Sequence, residues 1–267
     1  MTDYFKRPGV RSTLLKALRS GSPLHYRHAA DNPQAGRTAS RTNFQANHCA
    51  VLEPERFATD YAVFPGKTRR GKAWDAWQAS HPGVEGLTAA GHAEATAIGL
   101  AVRSHHAAGP IVCNAQHIEM EHEWRDEKTG LSCLLKADLV LEMGSHRVLL
   151  GDLKGVESTD HRTIQRQSYR LGYPLQMAHY RAGIQAKYGA HYRVDVAIIA
   201  VETRPPHDVA VVYLSDEVMT HAETEWRDLM SIIAECTETG IWPGRHTSAQ
   251  VMDMPSWLEP TFSDSRN

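Results

Sequence analysis

Apolar residues change their spacing several times along the chain, and each change marks an element. "RSTLLKALRSGSPLHYRHAAD" keeps helical spacing up to Gly21-Ser22-Pro23, which closes one short helix and opens another. "DNPQAGRTASRTN" has no apolar period and reads as a turn-rich connector. The spacing resumes in "FQANHCAVLEPERFATDYAVFP", interrupted at Pro54, and "GKTRRGKAWDAW" is a basic, glycine-bounded loop leading into a tryptophan-bearing helix. In "TAAGHAEATAIGLAVRSHHAAG" the positions Ala93, Ala97, Ile98, Ala101 and Val102 predict a helix with Thr88 as N-cap and Gly109 as stop.

The period then shortens to two. "HIEMEHEWRD" alternates around Ile118, Met120 and His122, "EKTG" is a turn, and "LSCLLKADLVLEM" and "RVLLGDLKG" are strands joined by the tight turn "GSH". Strands linked this closely predict an antiparallel meander. Thr163 to Tyr188 reads as helical, with Ser158, Thr159 and Asp160 as candidate caps and Pro174 kinking or splitting it. "VDVAIIAVE" and "HDVAVVYLS" add two strands, "DEVMTHAETEWRDLMSIIAECTETG" closes with a helix, and the proline-bearing tail "WPGRHTSAQVMDMPSWLEP" is expected to wrap the surface. The alternation of helices and strands predicts an α/β class, a mixed sheet flanked by helices. Residues 1–85 form a mostly helical N-terminal part and 86–267 hold the core.

Composition narrows the class. With 267 residues and 42% hydrophobic positions the chain can bury a full core. No apolar run approaches the ~20 residues that cross a bilayer, and "MTDYFKRPGVRSTLL" lacks the pattern of a signal peptide or anchor. A cytoplasmic protein is expected. Cys49, Cys113, Cys133 and Cys236 form no CxxC pair, which argues against a zinc ribbon or thioredoxin-type site and for reduced, mostly buried thiols. The net charge of −2 leaves nucleic acid open as a partner, because binding depends on a local patch.

The chemistry concentrates in "KADLVLEMGSHRVLLGDLKGV". Side chains alternate along a strand, so Asp152 and Lys154 share a face while Leu153 points away. Asp138 is about as far from the "GSH" turn as Asp152, so a hairpin sets the two acids across from one another. Two close carboxylates repel, and burial adds to the cost. A hard divalent cation such as Mg²⁺ or Mn²⁺ relieves both, and an incomplete protein shell leaves room for phosphate oxygens. On the residues alone, a buried Asp–Lys ion pair without metal accounts for the same pattern.

A family pattern extends this. "KADLVLEM" and "RVLLGDLKG", followed by "GYPLQMAHY", resemble the PD-(D/E)XK nuclease superfamily and within it the RecB/RecE-like branch, whose Q-x-x-x-Y motif matches Gln176 and Tyr180. "SPLHYRH", "NHCAVLEPERFATDYAVFPG", "EMEHEWRDEKTGLSCLLKADLV", "VETRPPHDVAVVYL" and "IWPG" follow the order of the RecE-type exodeoxyribonuclease VIII family. The resemblance implies a restriction-endonuclease-like core with an N-terminal helical extension, and Asp138, Asp152, Lys154, Gln176 and Tyr180 as the catalytic set. It implies His48, Glu121, Asp138, Asp152 and the Leu153 carbonyl as metal ligands for Mg²⁺, with Mn²⁺ as an alternative. It also implies digestion of linear double-stranded DNA from 5′ ends, a ring-shaped trimer or tetramer, and work beside a single-strand annealing protein in phage or prophage recombination. An endonuclease, a single-strand-specific enzyme and a non-catalytic DNA-binding subunit are the alternatives. No iron–sulfur cluster is expected, since only Cys236 lies downstream of the core. The chain departs from the family in reading "FQANH" for Gly-Thr-Ala-Leu-His and Gly155-Val156 for threonines. A structural His48 and a solvated acidic face over Glu119, Glu121 and Glu123 are the alternatives at those positions.

For DNA, Arg162, Arg166 and Arg170 recur every four residues and form one basic stripe on a helix, and "KTRRGK" adds Lys67, Arg69, Arg70 and Lys72. Such groups suit phosphate contacts, which position DNA without reading its sequence.

Overall fold

A computed structural model describes residues 4–33, 39–66 and 68–255. After a 3-10 turn at Tyr4–Lys6 come α1 (Ser12–Ser20), α2 (Pro23–Asp31), α3 (Ala39–Leu52), α4 (Pro54–Asp60), β1 (Tyr61–Val63), α5 (Lys72–Ser80), β2 (Glu85–Leu87), α6 (Ala89–Ser104) and α7 (Ala108–Asn114). The meander follows as β3 (His117–Arg125), β4 (Ser132–Glu142) and β5 (Arg147–Val156). Then come α8 (His161–Leu171), α9 (Tyr173–Tyr188), β6 (Arg193–Glu202), β7 (Val209–Tyr213) and α10 (Asp216–Thr239).

The predicted α/β class is what the chain adopts. A mixed five-stranded sheet has the order β3-β4-β5-β6-β7. β3, β4 and β5 are antiparallel neighbours, β5 and β6 run parallel, and β7 returns antiparallel. The parallel step requires a crossover, which α8 and α9 supply. On one face, Leu14, Leu15 and Leu18 of α1, Met177 and Ile184 of α9 and Trp226 and Met230 of α10 pack against Cys133, Leu135, Val148, Leu150 and Val196. On the other, Ile98 and Val102 of α6 and Ile111 and Val112 of α7 pack against Leu139, Leu149, Leu153 and Ile199. β6 is covered on both sides and is apolar almost throughout, as buried strands are.

Local chemistry explains the boundaries. Thr88 Oγ1 accepts from the Gly91 N–H at 3.1 Å and caps α6 as expected. α6 stops at Ser104, ahead of the expected Gly109, which instead lies in α7. Asp160 caps α8 through the Thr163 N–H at 2.9 Å. The long helix is split at Gly172, which takes the left-handed conformation (φ 64°) that ends α8, and Pro174 sits in the first turn of α9. The predicted connector is helical from Ala39, with 34–38 outside the described residues. The tail docks where it leaves α10: Trp242 stacks on Tyr26 at 5.4 Å, and the Pro243 carbonyl accepts from the Leu24 N–H at 3.1 Å.

One departure from regularity positions the site. The β4–β5 ladder runs from Glu142↔Val148 to Leu139↔Gly151 and ends there. Continuing the register sets Asp138 against Asp152, but the strands have parted. The N-terminal segment takes the β4 edge that β5 leaves: Val10 N–H donates to the Ser132 carbonyl at 2.9 Å and the Leu134 N–H to the Val10 carbonyl at 2.8 Å. A gap opens between the two strands, with the acids at its mouth.

Candidate active site

Within the gap the Asp138 carboxylate replaces the missing ladder. Its Oδ2 accepts from the Leu153 N–H at 2.8 Å, tying β4 to β5 through a side chain. Asp152, on the α9 side, is 1% exposed. Its Oδ1 accepts from Gln176 Nε2 at 2.8 Å, and the Lys154 ammonium sits against Oδ2. That oxygen is buried and has no hydrogen bond of good geometry among the described residues.

His48 enters from α3 and bridges two acids. Its Nε2 lies 3.1 Å from Asp138 Oδ2 and its Nδ1 3.1 Å from Glu119 Oε1. Lys136 holds the other Glu119 oxygen at 2.6 Å. Glu119 stands directly across from Asp138, flanked by the pairs Ile118↔Leu139 and Met120↔Ala137. Its φ of 52° is left-handed, a conformation that a non-glycine residue in a strand adopts only under constraint. An open cleft of about 370 Å³ exposes this group, lined by His48, Glu119, Lys136, Asp138, Leu153 and Lys154 among others.

The charges are strongly coupled. Burial disfavours ionisation of Asp138, but His48, Lys154 and the Leu153 N–H outweigh it and push its pKa down to about 2. Burial likewise works against a charged His48, yet Asp138 and Glu119 carry its pKa up to about 10. Asp152 is shifted upward, first by burial and then by Asp138. Lys154 stays above its usual range because the two aspartates overcome its burial. An imidazole wedged between two carboxylates, one of them also held by Lys136, marks a site that favours positive charge.

A divalent cation fits that demand. Ligand atoms of His48, Glu119 and Asp138 lie within 4.8 Å of one another. Carboxylates suit Mg²⁺ and Mn²⁺, and an imidazole is tolerated better by Mn²⁺. Asp152 stays outside this group, its Oδ2 buried and facing Lys154.

The expected residues separate into groups. Asp138, Asp152, Lys154, Gln176 and His48 come together. Glu121 does not join them: it is exposed and pairs with Arg7 at 3.3 Å, because Asp138 lies across from Glu119 and not from Glu121. Tyr180 shares the α9 face with Gln176 but is buried, its hydroxyl accepting from Ser12 Oγ at 3.4 Å. It supports α1 and does not reach the cleft. Leu153 lines the cleft, with its N–H engaged by Asp138. Arg162, Arg166 and Arg170 are exposed on α8 and form no ion pair among the described residues. Arg69 is not an open phosphate contact, since its guanidinium binds the Gly86 carbonyl at 3.2 Å and Asn43 Oδ1 at 3.1 Å. Arg70 and Lys72 are exposed at the start of α5, and Lys67 lies outside the described residues. Sequence reasoning missed Lys136 and Lys16, and passed over Glu119 for its neighbour.

An acid on each arm of a parted hairpin, a lysine beside the second and a glutamine from the following helix define a PD-(D/E)XK-type core. The chain belongs to the family described as a PDDEXK-like domain of unknown function (DUF3799), which matches residues 45–255. Among solved structures it is similar to a protein from Eubacterium rectale described as a "putative exonuclease", with a TM-score of 0.60 and 10% identity over 92% of this chain and 89% of that one. At that identity the likeness is one of fold. No curated protein matches the chain in sequence. The comparisons support the superfamily, and the narrower RecE-type assignment rests on the sequence resemblance. No helix among the described residues is long and apolar enough to cross a membrane.

Proposed function

We propose that this protein is a divalent-metal-dependent deoxyribonuclease that hydrolyses phosphodiester bonds at the ends of linear double-stranded DNA. The observation that carries the reading is the convergence of His48, Glu119, Asp138, Asp152 and Lys154 on one gap in the sheet. Glu119, Asp138 and His48 would hold the cation, with Asp152 completing its surroundings; when bound, it supplies Lewis acidity and charge neutralisation at the scissile phosphate. Taking that role requires His48 to give up its proton.

The chain's own residues divide the remaining work. Lys154 lines the cleft, and the two aspartates beside it favour its charged form. As an ammonium it can orient the attacking water or stabilise charge developing on phosphate. Gln176 fixes the Asp152 carboxylate, and Asp138 fixes the backbone of the strand that carries Lys154. The stripe of Arg162, Arg166 and Arg170, on the helix that follows β5, offers sequence-independent phosphate contacts.

Preference for ends is supported by the RecE-type resemblance and by the description of the similar Eubacterium rectale protein. The resemblance further supports Mg²⁺ as the ion, 5′ to 3′ digestion, a ring-shaped assembly and a recombination role beside an annealing protein. The test is a time course on 5′- and 3′-labelled linear duplexes and on closed circles, with Mg²⁺, Mn²⁺ or EDTA. Metal-dependent loss of linear DNA with circles intact is expected. Degradation of circles would replace an exonuclease with an endonuclease. No degradation by the wild-type protein, or equal degradation by Asp152→Ala, would overturn the reading.

A further inference from the structure

Resting on the nuclease reading, we propose that Lys16, from the N-terminal helix α1, is a positioning residue for the reaction: it sets the orientation of the Gln176 amide and through it that of Asp152. Lys16 Nζ donates to Gln176 Oε1 at 2.7 Å, and Gln176 Nε2 donates to Asp152 Oδ1 at 2.8 Å. The two ends of an amide are similar in shape and opposite in hydrogen-bonding sense. An ammonium has only donors, so it selects the oxygen end, and a carboxylate has only acceptors, so it selects the nitrogen end. Rotating the amide by half a turn would set Oε1 against Asp152 and Nε2 against Lys16, two repulsive contacts in place of two bonds. Lys16 therefore adds a second penalty on the flipped amide, beside the one from Asp152. With Oδ1 held by Gln176, the second Asp152 oxygen is directed to Lys154 and the gap.

Lys16 acts at a distance from the substrate. Neither it nor Gln176 lines the cleft that exposes His48, Glu119 and Asp138. The Tyr173 ring borders both lysines, its centroid 5.5 Å from Lys16 Nζ and 5.1 Å from Lys154 Nζ. The helix that carries Lys16 is anchored independently by the buried Leu14, Leu15 and Leu18.

The experiment compares wild type, Lys16→Arg, Lys16→Met, Gln176→Ala and the Lys16→Met/Gln176→Ala double variant on labelled linear duplex. kcat and KM are measured separately, and the Gln176 side-chain amide is followed by ¹⁵N NMR, assigned by its absence in Gln176→Ala. Lys16→Met is expected to lower kcat by about 10- to 100-fold, the usual cost of an outer-shell partner, with KM unchanged. Lys16→Arg is expected to restore most of the rate, the double variant to be no slower than Gln176→Ala, and the Gln176 amide resonances to move in Lys16→Met. A rise in KM at constant kcat would make Lys16 a phosphate contact and overturn the proposal. So would additive losses in the double variant, unmoved amide resonances, or a Tm drop with kcat retained. If Lys16→Met does not fold, Lys16→Gln takes its place. An inactive wild type whose Gln176 amide still responds to the Lys16 substitution would sink the nuclease reading alone.

Discussion

Glu119 offers a test in which backbone strain and metal binding are read separately. Its φ of 52° places a side-chain-bearing residue in the left-handed region within β3, at a cost of roughly 1–2 kcal/mol. A Glu119→Gly variant would not carry that cost. In an ordinary strand glycine is about 0.5–1 kcal/mol worse than alanine, because it loses more backbone freedom on folding. At this position strain relief outweighs the entropy, so Glu119→Gly is expected to be more stable than Glu119→Ala by about 1 kcal/mol, or about 2–4 °C in Tm. Both variants lose the same partners, Lys136 at 2.6 Å and His48 at 3.1 Å, so those losses cancel in the comparison. Both also remove one carboxylate of the metal-capable cluster and should bind Mn²⁺ more weakly than wild type. Urea unfolding of the metal-free proteins gives the first difference and calorimetric Mn²⁺ titration the second. A Glu119→Ala variant at least as stable as Glu119→Gly would refute the strain argument. Undiminished Mn²⁺ affinity would remove Glu119 from the ligand set.

Other outcomes follow from single features. His179 is fully buried, takes the Trp226 Nε1–H on Nδ1 at 3.2 Å and faces the Leu134 carbonyl with Nε2 at 3.0 Å, and burial pulls its pKa down to about 4. The unfolded chain therefore binds a proton before the folded one: the stability is intact above pH ~6.5 and is lost as pH falls towards 4, by up to ~3 kcal/mol. His179→Gln should flatten urea-unfolding stability across that window, and an unchanged slope would count against the assignment. A Cβ on Gly155 would lie 2.9 Å from the Thr203 methyl, so Gly155→Val should destabilise by ~1–3 kcal/mol in urea; wild-type stability would show that the neighbour yields freely. Replacing Arg162, Arg166 and Arg170 by Gln should lower the salt dependence of duplex binding by about three units of log K against log[salt], with no change if α8 faces away from DNA.

Much of the fold was legible because its signals are strong and local. The meander announced itself through alternation and short turns, and a break in the long helix through Pro174, which the structure sets at Gly172. Errors fell where a local signal had two meanings. Gly109 reads as a helix stop, yet it lies in the first turn of α7 together with Pro110, whose missing N–H costs nothing there. The parallel pairing of β1 with β2 was invisible because three residues are too few to show a period. Gly155, without an evident role in sequence, lets β5 approach Thr203, while its carbonyl accepts from Gln167 at 3.1 Å.

The site was legible in its chemistry and less so in its register. Alternation alone puts Glu119, Glu121 and Glu123 on one face and cannot choose among them. What chooses is the turn between β3 and β4. That turn pairs Arg125 with Ser132, and the same offset carried along the strands brings Lys136 opposite Glu121 and sets Asp138 against Glu119, where the ladder itself skips a pair. Had the turn been fixed first, the correct acid would have followed by counting. Lys16 is a different case. It meets Gln176 across 160 residues of chain, and its own helix gives it no distinguishing mark. The acids and the lysine of the D-x-K strand carry a readable pattern because the chemistry constrains their spacing. The groups that orient them are constrained only in space, so they become visible once α1 is packed on α9.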